Sequence, residues 1–99
     1  MPDGVQRVAV IGAGTMGHGI AQVAAMAGPA VVLVDRTADL VESGLAQIRA
    51  TLFQGVEKGK VTPAVRDAAS ERLRGETDVA RAVADADVVV EAIPERLDL

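Results

Sequence analysis

Apolar and charged positions are segregated along this chain. From Val8 to Val34 there is no Asp, Glu, Lys or Arg. At the two ends of that stretch lie Arg7 to Ile11 (RVAVI) and Ala30 to Val34 (AVVLV), short β-branched blocks that read as strands buried on both faces. Between them Met16 to Ala27 sets Ile20, Val23, Ala24 and Ala27 at helical spacing, and Gly28-Pro29 ends the helix. Strand, tight turn, helix and strand in this order form a βαβ unit, whose crossover should be right-handed.

The pattern then changes period. From Thr37 to Lys58, Val41, Leu45, Ile48, Leu52 and Val56 recur every three or four residues, one apolar stripe on a long amphipathic helix closed by Gly59. Thr62-Pro63 is an N-cap followed by Pro at the first helical position, and it opens a second helix to Arg72 with Val65, Ala68, Ala69 and Leu73 inward. The two make a helical hairpin. Leu73 to Thr77 follows as a short third strand, Asp78 to Asp85 as a short helix, and Asp87 to Ile93 (DVVVEAI) as a fourth strand bounded by Pro94. Pro94-Glu95-Arg96-Leu97 reads as the first turn of another helix, so the outer strand of the sheet is left to be covered. Either the chain is a fragment or another copy covers that edge.

The uncharged stretch is long enough to raise a membrane span, which needs about 20 apolar residues. Gly12, Gly14, Gly17, Gly19, Gly28 and Pro29 interrupt it, and each Gly costs a helix interior about 1 kcal/mol and Pro about 3 kcal/mol, so no continuous helix survives. An acid before the first base at the N-terminus also argues against a signal peptide. A length of 99 residues implies one core and leaves no room for a separate catalytic domain. With Phe53 the sole aromatic, that core must be built of Val, Ala, Leu and Ile, the composition of a parallel sheet under Ala-rich helices. A net charge of −4 with scattered basic residues excludes nucleic acid as a partner. The absence of cysteine removes disulfides, thiolate metal sites and Cys nucleophiles, and the cytoplasm is the default compartment.

The chemistry concentrates at Gly12-Ala13-Gly14-Thr15-Met16-Gly17, a GxGxxG placed directly after a strand and directly before a helix. The first Gly permits the tight turn, the second lets a pyrophosphate approach bare backbone, and the third lets helix and strand pack closely. The helix N-terminus adds free N–H groups and about half a positive charge. Asp35 stands at the end of the second strand, 18 residues beyond Gly17, where an acid accepts hydrogen bonds from the adenine-ribose hydroxyls. A carboxylate there repels a 2′-phosphate, so NAD is favoured over NADP, although the adjacent Arg36 is of the type that accommodates one. The expected fold is therefore an α/β, Rossmann-type three-layer domain spanning residues 1–99, with a mostly parallel sheet in the order 3-2-1-4, a helical hairpin after the second strand and an incomplete C-terminus.

From Gln6 to Leu99 the chain resembles the N-terminal part of the 3-hydroxyacyl-CoA dehydrogenase family, which includes the 3-hydroxybutyryl-CoA dehydrogenases. The resemblance is carried by VAVIGAGTMGHGIAQ, VVLVD, EKGKVTP in the hairpin and TDVARAVADADVVVEAIPE. It implies that Gly12 to Gly17 and Asp35 hold NAD, that Glu95 contacts the cofactor near the nicotinamide, and that Thr51 and Lys58 contact the CoA of an acyl-CoA substrate. Thr51 and Lys58 are seven residues apart, two helical turns, and so share a face. Lys58 is equally read as a solvated Lys complementing the end of a helix.

The family's catalytic His and its partners come from segments downstream of Leu99, in a helical domain that normally also supplies a homodimer interface. No catalytic residue is therefore expected here. His18, the sole histidine, falls in the first turn of the helix after the glycine loop and matches no catalytic position, and Glu91 reads as a strand-end acid. The implied function is the NAD-binding part of an enzyme of fatty-acid or butanoate metabolism that oxidises (S)-3-hydroxyacyl-CoA, inactive by itself. The rival is an NAD-binding or structural module without chemistry, which needs only the loop and Asp35.

Overall fold

A computed structural model describes residues 4–93. Four strands, β1 (Arg7–Ile11), β2 (Ala30–Val34), β3 (Leu73–Glu76) and β4 (Val88–Glu91), form one parallel sheet in the order β3-β2-β1-β4. The crossovers are α1 (Thr15–Ala27) from β1 to β2, the hairpin α2 (Ala38–Glu57) and α3 (Pro63–Arg72) from β2 to β3, and α4 (Val79–Ala84) from β3 to β4. The expected order and parallel pairing are both present.

Strand alternation divides the core into two layers. Val8, Val10, Val31 and Leu33 face α1, α2 and α3, meeting Ala21, Ala24, Ala25, Val41, Leu45, Ile48 and Leu52. Ala9, Val32 and Val34 face the other way, onto Ala82 of α4. Leu33, Ile48 and Leu52 are the largest fully buried side chains, and burying each contributes about 1.5–3 kcal/mol. Phe53 lies outside the core, so the aliphatic composition is indeed what fills it.

The helix ends follow their local chemistry. Thr37 and Thr62 cap α2 and α3 by accepting the N–H of Leu40 and of Val65, both at 3.2 Å. Gly59 takes φ +72° after α2, the left-handed conformation that stops a helix at little cost for glycine. Arg72 at the end of α3 reaches back to donate to the Ala25 carbonyl at 2.8 Å, tying the hairpin to the C-terminal turn of α1.

Three expectations from the hydrophobic pattern are corrected. On α1 the inward residues are Gly17, Ala21, Ala24 and Ala25, whereas Val23 is 69% exposed and Ala27 is also exposed. Val23 and Ala27 instead line an open apolar groove with Ile20 of the same helix and Val88 and Val90 of β4. Val65 of α3 is likewise exposed, leaving Ala69 as that helix's buried residue. The fourth strand spans Val88–Glu91 rather than Asp87 to Ile93, because its partner β1 ends at Ile11. As the edge strand it keeps Val88 and Val89 exposed.

Asp87 works as a clip at the other end of β4. Its Oδ2 accepts the N–H of Gln6 at 2.8 Å and of Arg7 at 3.0 Å, joining the start of β1 to the start of β4. Those bonds, Gln6 first and then Arg7, hold the Asp87 carboxyl below its ordinary value. A carboxyl lowered on folding stabilises the fold above its unfolded-state value and loses that contribution as pH falls through the folded-state value. Asp87→Asn should therefore unfold less steeply with acid than the parent below about pH 4, measured by circular dichroism across pH. Superimposable acid profiles would show that the clip contributes nothing.

Candidate functional site

The site is built at the carboxyl ends of β1 and β2, the edge at which an open parallel sheet binds its ligand. After Ile11 the chain turns at Gly12, which has φ +108° and donates its N–H to the Val34 carbonyl at 2.7 Å. A Cβ at Gly12 would also lie 3.0 Å from the Ala92 backbone, so the turn is tight against the chain leaving β4. Gly17, in the first turn of α1, packs against the Gly12 carbonyl with no room for a side chain. Gly14 differs: nothing lies within 4 Å of the position a Cβ would take. The first and third glycines are therefore required by packing, and the second faces open space where a ligand can reach bare backbone.

The N-terminus of α1 is suited to an anion. Gly14 is its N-cap, no side chain caps it, and its first turn holds no acid. The leading N–H groups are consequently without side-chain acceptors, the condition under which a phosphate is bound by backbone and helix dipole together. Thr15 and Met16 are exposed in this turn, Met16 at 62%.

Asp35 is half-buried just beyond β2 and holds the loop from the side. Its Oδ2 accepts the Ala13 N–H at 2.9 Å, and its Oδ1 accepts the Arg36 N–H at 2.7 Å. The Ala13 N–H has the largest influence on the Asp35 carboxyl and lowers its pKa; partial burial opposes this, and the N–H and charge of Arg36 add to the lowering. Two carboxylate oxygens offer about four lone-pair positions, so acceptors remain for ribose hydroxyls. Sequence reasoning expected an acid at the end of this strand; its bond to the loop backbone was not legible because it depends on where β2 ends relative to Gly12.

Between these parts lies a cleft of about 570 Å³ that runs from Gly12 and Gly14 past Asp35 and Arg36 to an apolar wall of Leu40, Val79 and Ile93. That volume lies in the range of small-molecule and cofactor sites. Leu40 and Val79 come from α2 and α4 and were not among the expected site residues. The available signal was their place: both helices begin just past the carboxyl ends of β2 and β3. A planar base against such a wall, a ribose at Asp35 and a pyrophosphate at Gly14 follow the order of groups in a dinucleotide, so the residues present fit NAD.

The remaining candidates are placed as follows. Thr51 is half-buried on α2 and donates its hydroxyl to the Gln47 carbonyl at 2.9 Å. Lys58 is exposed and forms the C-cap of α2, just past the helix body in which it was expected. Neither touches the cleft at Gly12 to Asp35. His18 is half-buried in the first turn of α1, its N–H donating to the Gly14 carbonyl at 2.9 Å, and Glu91 ends β4 in an exposed position. Glu95 lies outside the described residues. Among the described residues no helix is long and apolar enough to cross a membrane.

Comparison with known proteins agrees with this geometry. Residues 7–99 match the model of the family described as 3-hydroxyacyl-CoA dehydrogenase, NAD binding domain. A 3-hydroxyadipyl-CoA dehydrogenase of Escherichia coli is 45% identical over 96% of this chain and 20% of its own length. A 3-hydroxybutyryl-CoA dehydrogenase of Mycobacterium tuberculosis is 41% identical over 96% of the chain and 33% of its own length. Among solved structures, a 3-hydroxybutyryl-CoA dehydrogenase from Escherichia coli superposes with a TM-score of 0.87 at 46% identity, covering 93% of this chain and 19% of that one. The (S)-3-hydroxybutyryl-CoA dehydrogenase from Ralstonia eutropha gives 0.86 at 36% identity, covering 94% and 32%. The chain thus spans between a fifth and a third of the length of these relatives. Because that family model matches residues 7–99, nearly the whole chain, the chain belongs to the family of 3-hydroxyacyl-CoA dehydrogenase NAD binding domains.

Proposed function

We propose that this chain is the cofactor-binding part of an NAD-dependent 3-hydroxyacyl-CoA dehydrogenase that oxidises (S)-3-hydroxyacyl-CoA to 3-oxoacyl-CoA. The observation that carries the reading is the loop Gly12 to Gly17, open at Gly14 and tethered by Asp35, in a chain of this family. Bound NAD supplies the hydride acceptor for the substrate C3. The chain's own residues bind and orient it. Backbone N–H groups at Gly14 to Gly17 receive the pyrophosphate, Asp35 accepts from the ribose, and Leu40 and Val79 exclude water from the base. Glu95 is assigned to the nicotinamide end, and Thr51 and Lys58 to the CoA, with Lys58 meeting its phosphates. The exposure of Lys58 at the end of α2 supports that assignment. The whole enzyme is read as a cytoplasmic homodimer, on the family resemblance.

Among the described residues no His or carboxylate stands in the cleft as a proton acceptor for the substrate hydroxyl besides Asp35, which is already bonded to the loop. The 99-residue chain with NADH and 3-oxobutyryl-CoA should therefore show no loss of absorbance at 340 nm. Calorimetry with the same CoA ester should give binding that Lys58→Ala weakens about two- to fivefold, the scale of one exposed charge pair. Steady NADH oxidation would contradict the division of labour, and unchanged calorimetry would remove Lys58 from the CoA site.

A further inference from the structure

The loop that receives the pyrophosphate is held on a second side, by α2. Gly44 of that helix faces it: a Cβ there would stand 2.9 Å from the Ala13 carbonyl oxygen, 3.1 Å from Ala13 Cβ and 2.8 Å from Leu33 Cδ2. The Leu33 methyl ends a side chain and could turn aside, whereas the Ala13 carbonyl belongs to the loop backbone. Ala13 has nowhere to retreat, because its N–H is bonded to Asp35, its neighbour Gly12 is bonded to Val34, and Ala13 itself is buried.

Glycine inside a helix runs against propensity by about 1 kcal/mol relative to alanine. Its use in the middle of α2 needs a packing reason, and contact with the loop backbone is one. A second glycine on the same helix gives a contrast. A Cβ at Gly55 would stand 2.7 Å from Val61 Cγ2, at the hairpin turn and away from the loop.

We propose that Gly44 is a positioning residue for the dinucleotide loop, its missing side chain setting how far the Ala13 peptide sits from α2 and so where the Gly14 N–H points. The proposal rests on the reading of the loop as the NAD site. It also joins the helix assigned to the CoA with the backbone of the cofactor cradle.

The test compares the parent chain with Gly44→Ala, Gly44→Val and Gly55→Ala, using NADH fluorescence titration and ¹⁵N amide spectra. Gly55→Ala should bind NADH within about twofold of the parent, Gly44→Ala several-fold more weakly and Gly44→Val more than about tenfold more weakly, as overpacking of 1–3 kcal/mol implies. The Ala13 and Gly14 amides should shift in both Gly44 variants and stay in place in Gly55→Ala. A folded Gly44→Val that binds like the parent overturns the proposal. Should that variant not fold, Gly44→Ala decides by the same criterion. Absence of NADH binding to the parent would fell the cofactor reading itself, and the amide shifts would then decide separately whether Gly44 places the loop.

Discussion

Gly17→Val should lower the chain's stability by about 3 kcal/mol or more and greatly weaken NADH binding, while Gly19→Ala, two residues further along the same helix, should leave both intact. A Cβ at Gly17 falls on the Gly12 carbonyl, with the Gly12 carbonyl carbon only 2.6 Å away, so a side chain there must push α1 off β1. Both groups are backbone and no rotamer relieves the clash. Overpacking of this kind costs about 3 kcal/mol or more at its upper end, against a total stability for small domains of only about 5–15 kcal/mol. The displaced helix would also carry its N-terminal N–H groups away from the phosphate. At Gly19 nothing lies within 4 Å of the added Cβ, and alanine improves helix propensity by about 1 kcal/mol, so a neutral or stabilising result follows. Urea unfolding of both variants is the measurement. A Gly17→Val chain as stable as the parent would contradict the close packing of α1 on the loop.

Asp35→Ala should cost about 1.5–3 kcal/mol in NAD binding, the scale of hydrogen bonds to a charged group, or roughly 10- to 150-fold in Kd. The carboxylate holds the Ala13 N–H and, in the proposed site, offers its free lone pairs to the ribose. NADP should lose less, because the same substitution removes a negative charge facing its 2′-phosphate and leaves Arg36 beside it. Asp35→Asn separates the roles. It keeps an oxygen for the Ala13 N–H but lacks the charge, so the loop amides should stay near their parental shifts while discrimination against NADP falls. Equal losses for the two cofactors in titrations of Asp35→Ala would sink the ribose role.

The first two strands, the loop and Asp35 were legible because each carries its signal within a few residues: β-branched runs, a glycine pattern, an acid at a strand end. The helix faces were less so. Periodicity points Ile20, Val23, Ala24 and Ala27 inward, yet the buried face of α1 runs through Gly17, Ala21, Ala24 and Ala25, while Val23 and Ala27 line the groove beside β4. In β4 the run Val88-Val89-Val90 has the composition of a central strand, and composition alone carries no information about neighbours; its edge place followed from the expected order 3-2-1-4. The apolar wall of Leu40 and Val79 escaped for a related reason. The two residues are 39 apart in sequence, and only the parallel order β3-β2-β1 brings them to the same cleft. Gly44 offers a sequence signal in retrospect, a glycine in the middle of an otherwise well-patterned helix.

The central claim, that this loop is a cofactor cradle selective for NAD, is tested most directly by titrating the chain with NADH and with NADPH and following the reduced nicotinamide's fluorescence. The chain has no Trp, so the signal belongs to the ligand alone. Saturable binding of NADH, with NADPH weaker by about tenfold or more from the charge at Asp35, is the predicted result. Equal affinity for the two, or no saturation by either, would contradict it.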